Sequence, residues 1–147
     1  MCALPIAGYI MLRPDPRGLR AARERVRDLL GKLEFGEDES ARLLIAVGEA
    51  ISNAYLHGSP DRPRDLIRLG WETTGRELVI TIRDNGDGFG TGRTHCPIGD
   101  RGRLARGLEL MRAGADEVGF AFDTGGKVVL RKRVNLIPPG PSPLGSE

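Results

Sequence analysis

Apolar positions recur along this chain in two periods, and the switches between them lay out the elements. Ala7 to Leu12 is a short apolar stretch closed by Pro14 and reads as an edge strand. Leu19, Ala22, Val26, Leu29 and Leu30 then recur at helical spacing behind an Asp15-Pro16 start, with Asp15 as cap and Pro16 in the first turn. A break is expected at Gly31 to Gly36. Glu37, Asp38, Glu39 and Ser40 open the next helix, where the macrodipole favours negative charge. Its core stripe is Leu43, Val47, Ala50 and Ala54, and it stops after His57 at Gly58-Ser59-Pro60. Leu66 to Trp71 and Glu77 to Arg83 read as two strands of a hairpin turning at Thr73-Thr74-Gly75-Arg76. Phe89 to Arg106 is expected as a loop, and Gly107 as the opening of a short helix, Leu108 to Arg112, that ends near Gly114. Asp116 to Phe122 and Lys127 to Val134 form a last hairpin about Gly125-Gly126. The proline- and glycine-rich stretch Asn135 to Glu147 reads as a disordered tail.

Composition narrows the classes. The chain has 147 residues, one domain's worth, assigned here to residues 1–134 with the tail at 135–147. A net charge of +2, with 22 basic residues spread along the chain rather than in a block, argues against a nucleic-acid partner. No apolar run approaches the ~20 residues that span a bilayer. The first ten residues lack a basic region followed by a full apolar one, so no signal peptide is expected. Cys2 and Cys96 make neither a disulfide framework nor a paired metal motif, which points to a reducing cytoplasm.

Three separated stretches carry candidate chemistry. Asp84-Asn85-Gly86-Asp87-Gly88-Phe89 follows an alternating strand, Leu78 to Ile82. Its glycines permit positive φ and close approach of a ligand, and an ionised Asp84 accepts hydrogen bonds without donating them. The stretch is either a tight turn or a pocket for an exocyclic amine such as that of adenine. On the second helix, Glu49, Asn53 and His57 recur at i, i+4 and i+8. They form either an exposed polar stripe or a proton acceptor beside a magnesium ligand. Arg93, Arg101, Arg103 and Arg106 make the Gly-rich loop basic, suited to plain solvation or to covering a polyphosphate. A helix opening at Gly107 would offer N–H groups to an anion. Arg20, Arg23 and Arg27 line a face of the first helix that is either solvated or set to meet an acidic protein segment.

In order and spacing these parts resemble the GHKL superfamily, whose ATP-binding (Bergerat) fold is shared by gyrase B, histidine kinases and MutL. Glu49-Ala50-Ile51-Ser52-Asn53 is similar to its E-x-x-x-N helix motif. Asp84 to Phe89 matches D-x-G-x-G-F, and Arg106-Gly107-Leu108-Glu109-Leu110-Met111 resembles its second glycine box. The likeness runs over roughly residues 5–134. Within the group the short chain is similar to the anti-sigma-factor serine/threonine kinases. The resemblance implies an α+β fold, a two-layer sandwich with a mixed, mainly antiparallel sheet and helices on one face. It implies transfer of the γ-phosphate of ATP to a serine of an anti-anti-sigma protein, sequestration of a sigma factor, and a homodimer. By motif, Glu49 would be the general base and Asn53 would hold Mg²⁺. Asp84 would bind the adenine amine, with Gly86, Gly88 and Phe89 lining the base pocket. Arg106, Gly107, Leu108 and Lys127 would attend the phosphates. Two positions depart from the pattern: Ala105 stands where a further glycine is usual, and Lys127 follows Gly126 where a threonine is common. A nucleotide-dependent binding module without catalysis, and a detached histidine-kinase catalytic domain, are the alternatives.

Overall fold

The structure is a computed structural model that describes residues 6–33, 35–57, 66–74, 76–84, 98–122 and 126–134; the side chains of 55–57, 98–105 and 122 also fall outside the description. The order is β1 (Ala7–Leu12), α1 (Pro16–Leu33), α2 (Glu37–His57), β2 (Ile67–Thr74), β3 (Glu77–Arg83), α3 (Ile98–Gly114), β4 (Glu117–Phe122) and β5 (Gly126–Arg133). The five strands form one sheet in the order β1-β2-β3-β5-β4. Every described pairing is antiparallel, so the parallel component expected of a mixed sheet is absent among the described strands.

Period-two alternation sets which face of the sheet is buried. Ile67 and Leu69 of β2, Leu78, Ile80 and Ile82 of β3, and Val128 and Leu130 of β5 are buried together. They meet Val26, Leu29 and Leu30 of α1 and Leu43, Val47, Ala50 and Ala54 of α2 in one core. Both predicted helical stripes are therefore the buried faces of their helices. Asp15 caps α1 as its position suggests: its Oδ1 accepts the Gly18 N–H at 2.9 Å. Gly18 is required there, because a Cβ would run into the Arg13 carbonyl oxygen.

Two helix boundaries differ from the sequence expectation, and β2 runs on through Thr74 where the sequence puts its end at Trp71. α1 continues through Gly31 to Leu33, since Leu30 and Leu33 are buried and their burial outweighs the ~1 kcal/mol that a helical glycine costs. α3 starts at Ile98, so Gly107 is the tenth residue of a 17-residue helix and does not open it. The segment Arg103-Leu104-Ala105-Arg106 consists of good helix formers, and Leu104, Leu108 and Met111 keep helical spacing across Gly107. Gly99 and Gly102 had masked that continuity. The expected tail, the turn at Gly75 and the segment from Asn85 to Pro97 lie outside the described residues.

Candidate functional site

α2 packs on the sheet and has α1 and α3 as its helical neighbours, so its faces have different tasks. Its apolar stripe meets the core, and the stripe carrying Glu49 and Asn53 faces α3. Both polar side chains are half-buried. The contact is made at Gly107: a Cβ there would stand 2.9 Å from Glu49 Oε1 and 3.7 Å from Asn53 Nδ2. Glycine therefore leaves the space beside the carboxylate that any other residue would fill. Two turns on, at the end of α3, Gly114 meets the Arg42 carbonyl and Ala46, which fixes how closely the two helices approach. The predicted polar stripe is thus an interior seam between two helices.

Asp84 follows β3 directly and is 2 % exposed, the one fully buried charged residue among those described. By alternation it falls on the same face as Ile82, toward the helices. Its Oδ1 accepts the Gly126 N–H at 3.1 Å, and its own N–H donates to the Gly126 carbonyl at 3.0 Å. A buried carboxylate needs such partners. Here the backbone of β5 supplies one and fixes the side chain at the strand end. The sequence pattern puts Gly126 only in a turn; its role as the hydrogen-bond partner of Asp84 depends on cross-strand register.

The remaining site residues divide. Arg106 is exposed on α3 beside Gly107, and Leu108 is half-buried. Gly107 lies inside the helix, so its N–H is not one of the free N-terminal donors an anion would use; the expected helix-start site is corrected to an interior packing position. Lys127 is also corrected. It pairs with Arg83 on the sheet face turned away from the helices, and with Arg68 and Thr81 it lines an open depression there. It therefore does not join Glu49, Asn53 and Asp84. Gly86, Gly88 and Phe89, and the side chain of His57, lie outside the described residues.

Among the described residues no three His, Cys, Asp or Glu side chains cluster as a metal cage. The donors present are the Asn53 amide oxygen and the Glu49 carboxylate, one helical turn apart. That fits Mg²⁺ arriving with phosphate and water ligands, because Mg²⁺ takes few protein oxygens and keeps much of its shell. A buried acceptor held by backbone likewise fits an adenine amine. No helix of the described residues is long and apolar enough to cross a membrane.

Comparison with known proteins bears on the family and the fold. The profile of the histidine kinase-like ATPase domain matches residues 12–132. The chain is 28 % identical over 123 residues to the anti-sigma F factor of Clostridium beijerinckii, covering 79 % of this chain and 86 % of that protein. It is 24 % identical over 123 residues to that of Clostridium novyi, with the same coverage. Among solved structures, the RsbU and RsbW domains of a Mycobacterium tuberculosis protein superpose with a TM-score of 0.64 at 17 % identity. That match covers 90 % of this chain and 33 % of the other, so the present chain spans about a third of it. The histidine kinase domain of a blue-light activated kinase from Erythrobacter litoralis gives 0.53 at 18 % identity, covering 80 % and 62 %. At those identities the two structures speak to the fold.

Proposed function

The chain belongs to the histidine kinase-like ATPase domain family, and from that premise we propose that it is an anti-sigma factor acting as an ATP-dependent protein serine kinase. In this reading it phosphorylates a serine of an anti-anti-sigma protein, sequesters a sigma factor and works as a homodimer. The observation that carries the reading is the seam at Glu49 and Asn53, kept clear by Gly107, together with an Asp84 carboxylate fixed at the end of β3. The names of the two Clostridium relatives support the anti-sigma part.

ATP with Mg²⁺ would supply the γ-phosphoryl group and neutralise its charge. The protein's share is positioning and a proton acceptor, because phosphoryl transfer asks for little else. Asp84 accepts from the adenine amine and sets the base. Asn53 offers its amide oxygen to the metal. Glu49 takes the proton of the serine hydroxyl as the Oγ–phosphorus bond forms and the bond to the ADP leaving oxygen breaks. A carboxylate one turn from the metal-binding amide lies close enough to serve the same phosphate.

The test is incubation with labelled ATP, Mg²⁺ and a candidate anti-anti-sigma protein. Label on serine is the expected outcome. Glu49→Gln should still bind ATP and partner but lose transfer by about 10²-fold or more, the span general base catalysis covers; transfer at the normal rate would remove Glu49 from the role. Intact ATP binding without label would favour the non-catalytic binding module, a reading that draws on α3 lying across Glu49. Acid-labile label on a histidine would favour the histidine-kinase alternative.

A further inference from the structure

β1 is an edge strand that carries none of the devices that keep sheet edges apart. Its sequence, Ala7-Gly8-Tyr9-Ile10-Met11-Leu12, has no charge and no proline, and its register against β2 runs without a bulge. An edge left bare in this way is a template for another strand. β1 stands at the end of the strand order, so among the described strands only β2 pairs with it. The phase of that pairing follows from the Thr73 N–H, which donates to the Ile6 carbonyl at 2.8 Å. Backbone groups point inward and outward at alternate residues of an antiparallel strand. Those of Gly8, Ile10 and Leu12 therefore face β2, and those of Ala7, Tyr9 and Met11 turn outward. Tyr9 and Met11 also have exposed side chains. β4, at the other edge, opens instead with a charged residue, Glu117, held 3.7 Å from Arg131.

We propose that β1 pairs antiparallel with β1 of a second copy, on a two-fold axis at Tyr9, so that two sheets become one. This gives the homodimer proposed above its interface and rests on that part of the reading. On this axis Ala7 opposes the partner's Met11, Gly8 opposes the partner's Ile10, and Tyr9 opposes the partner's Tyr9. Small residues meet large ones, and the one equal pair is aromatic, a combination that stabilises neighbouring strands. Ala7, Tyr9 and Met11 each exchange two backbone hydrogen bonds with the strand opposite, about six in all. The charges behind the edge agree with the register. Glu72 lies in the row of Ala7 and Arg68 in the row of Met11. Glu72 and the partner's Arg68 then share one row across the junction, on the face turned away from the helices. The Tyr9 ring holds Arg68 at that edge, 4.2 Å from its centroid. Pairing β1 with β4 of another copy would leave two edges free and propagate, whereas the two-fold pairing closes.

The experiment uses the full chain and reads dimerisation by sedimentation over a range of concentrations. Tyr9→Lys puts two ammonium groups on the axis, and Tyr9→Pro removes an outward N–H at a position where an edge strand tolerates proline. Each should weaken the dimer by about tenfold or more. Trp71 is the chain's one tryptophan, and a Cβ at Gly8 would stand 2.9 Å from its ring. Its emission should stay at the parent's in both variants, because β1 still pairs with β2. ATP affinity should also be unchanged, since Tyr9 lies two strands from β3 and Asp84. In a chain carrying Cys2→Ser and Cys96→Ser, Tyr9→Cys should oxidise to a disulfide-linked dimer, with the two Cα atoms about 5.5 Å apart. Met11→Cys should cross-link at least about tenfold more slowly, because its counterpart lies about 14 Å along the strand. Cross-linking of both cysteine variants at one rate, or a dimer untouched by Tyr9→Lys and Tyr9→Pro, overturns this interface while leaving the homodimer standing. A parent that stays monomeric overturns both. Growth of the parent into longer oligomers overturns the two-fold in favour of β1–β4 pairing.

Discussion

Adding one methyl group to α3 should have opposite consequences at two glycines two turns apart. At Gly107 the new Cβ would stand 2.9 Å from Glu49 Oε1, where ordinary contact begins at 3.4 Å, so the carboxylate must yield by 0.5 Å. The obstructing atom is the tip of a flexible side chain, and turning it aside costs roughly 0.5–1.5 kcal/mol. Alanine in place of an interior helical glycine returns about 0.8–1 kcal/mol. Gly107→Ala should therefore change stability by less than about 1 kcal/mol. At Gly114 the obstruction cannot rotate away. A Cβ there overlaps the Arg42 carbonyl oxygen and lies 2.8 Å from its carbon and 2.9 Å from Ala46 Cβ. The helices must part, and overpacking of this kind costs about 1–3 kcal/mol.

Thermal unfolding followed by far-UV circular dichroism reads both. For a chain of this size each kcal/mol moves Tm by roughly 2–4 °C, so Gly114→Ala should melt several degrees lower and Gly107→Ala near the parent. Transfer should show the reverse order of harm. Displacing a general base by half an ångström costs about tenfold in rate, given the ~10²-fold expected for a whole ångström. Gly107→Ala should thus fall about tenfold in kcat with little change in KM for ATP. If Gly107→Ala melts far below the parent while Gly114→Ala does not, the α2–α3 seam is wrong. If Gly107→Ala transfers at full rate, Glu49 is not the group that Gly107 protects.

Further substitutions test the other supports. Asp84→Asn keeps an oxygen for the Gly126 N–H, so it should fold normally yet bind adenine nucleotides at least about tenfold more weakly by calorimetry, having replaced an acceptor by a donor. Asp84→Ala strands that buried N–H and should lower stability by about 1–3 kcal/mol in urea titration. Asp15→Ala removes the cap that accepts the Gly18 N–H and should cost about 1 kcal/mol by the same measurement, with nucleotide binding unchanged.

Much of the fold was legible because its periods are clean. Leu43, Val47, Ala50 and Ala54 predict one buried face of α2, and the alternation from Leu78 to Ile82 predicts the buried face of β3. The apposition of Glu49 and Asn53 on one side of α2 was equally readable. What covers that side was not. α3 keeps few apolar residues in its first half and includes Gly99 and Gly102, so local propensity ends the loop at Gly107. Gly107 and Gly114 let that helix lie against α2, a contact between segments roughly 55 to 70 residues apart that no local pattern encodes.

Lys127 shows how a site can be misread even with its strand identified. Asp84 exchanges two hydrogen bonds with Gly126, which puts Gly126 on the helix side of β5. Consecutive residues of a strand face opposite ways, so Lys127 must then face the open side. Bringing it round to the phosphates of a nucleotide near Asp84 would require a bulge at the start of β5. The pairing leaves no place for one: Lys127 to Arg133 run opposite Arg83 to Glu77 without interruption. The same register that removes Lys127 from the nucleotide side sets it opposite Arg83 on the open face. A charge reversal at Lys127 should therefore leave ATP affinity near that of the parent by calorimetry, and a large loss would refute the register argument.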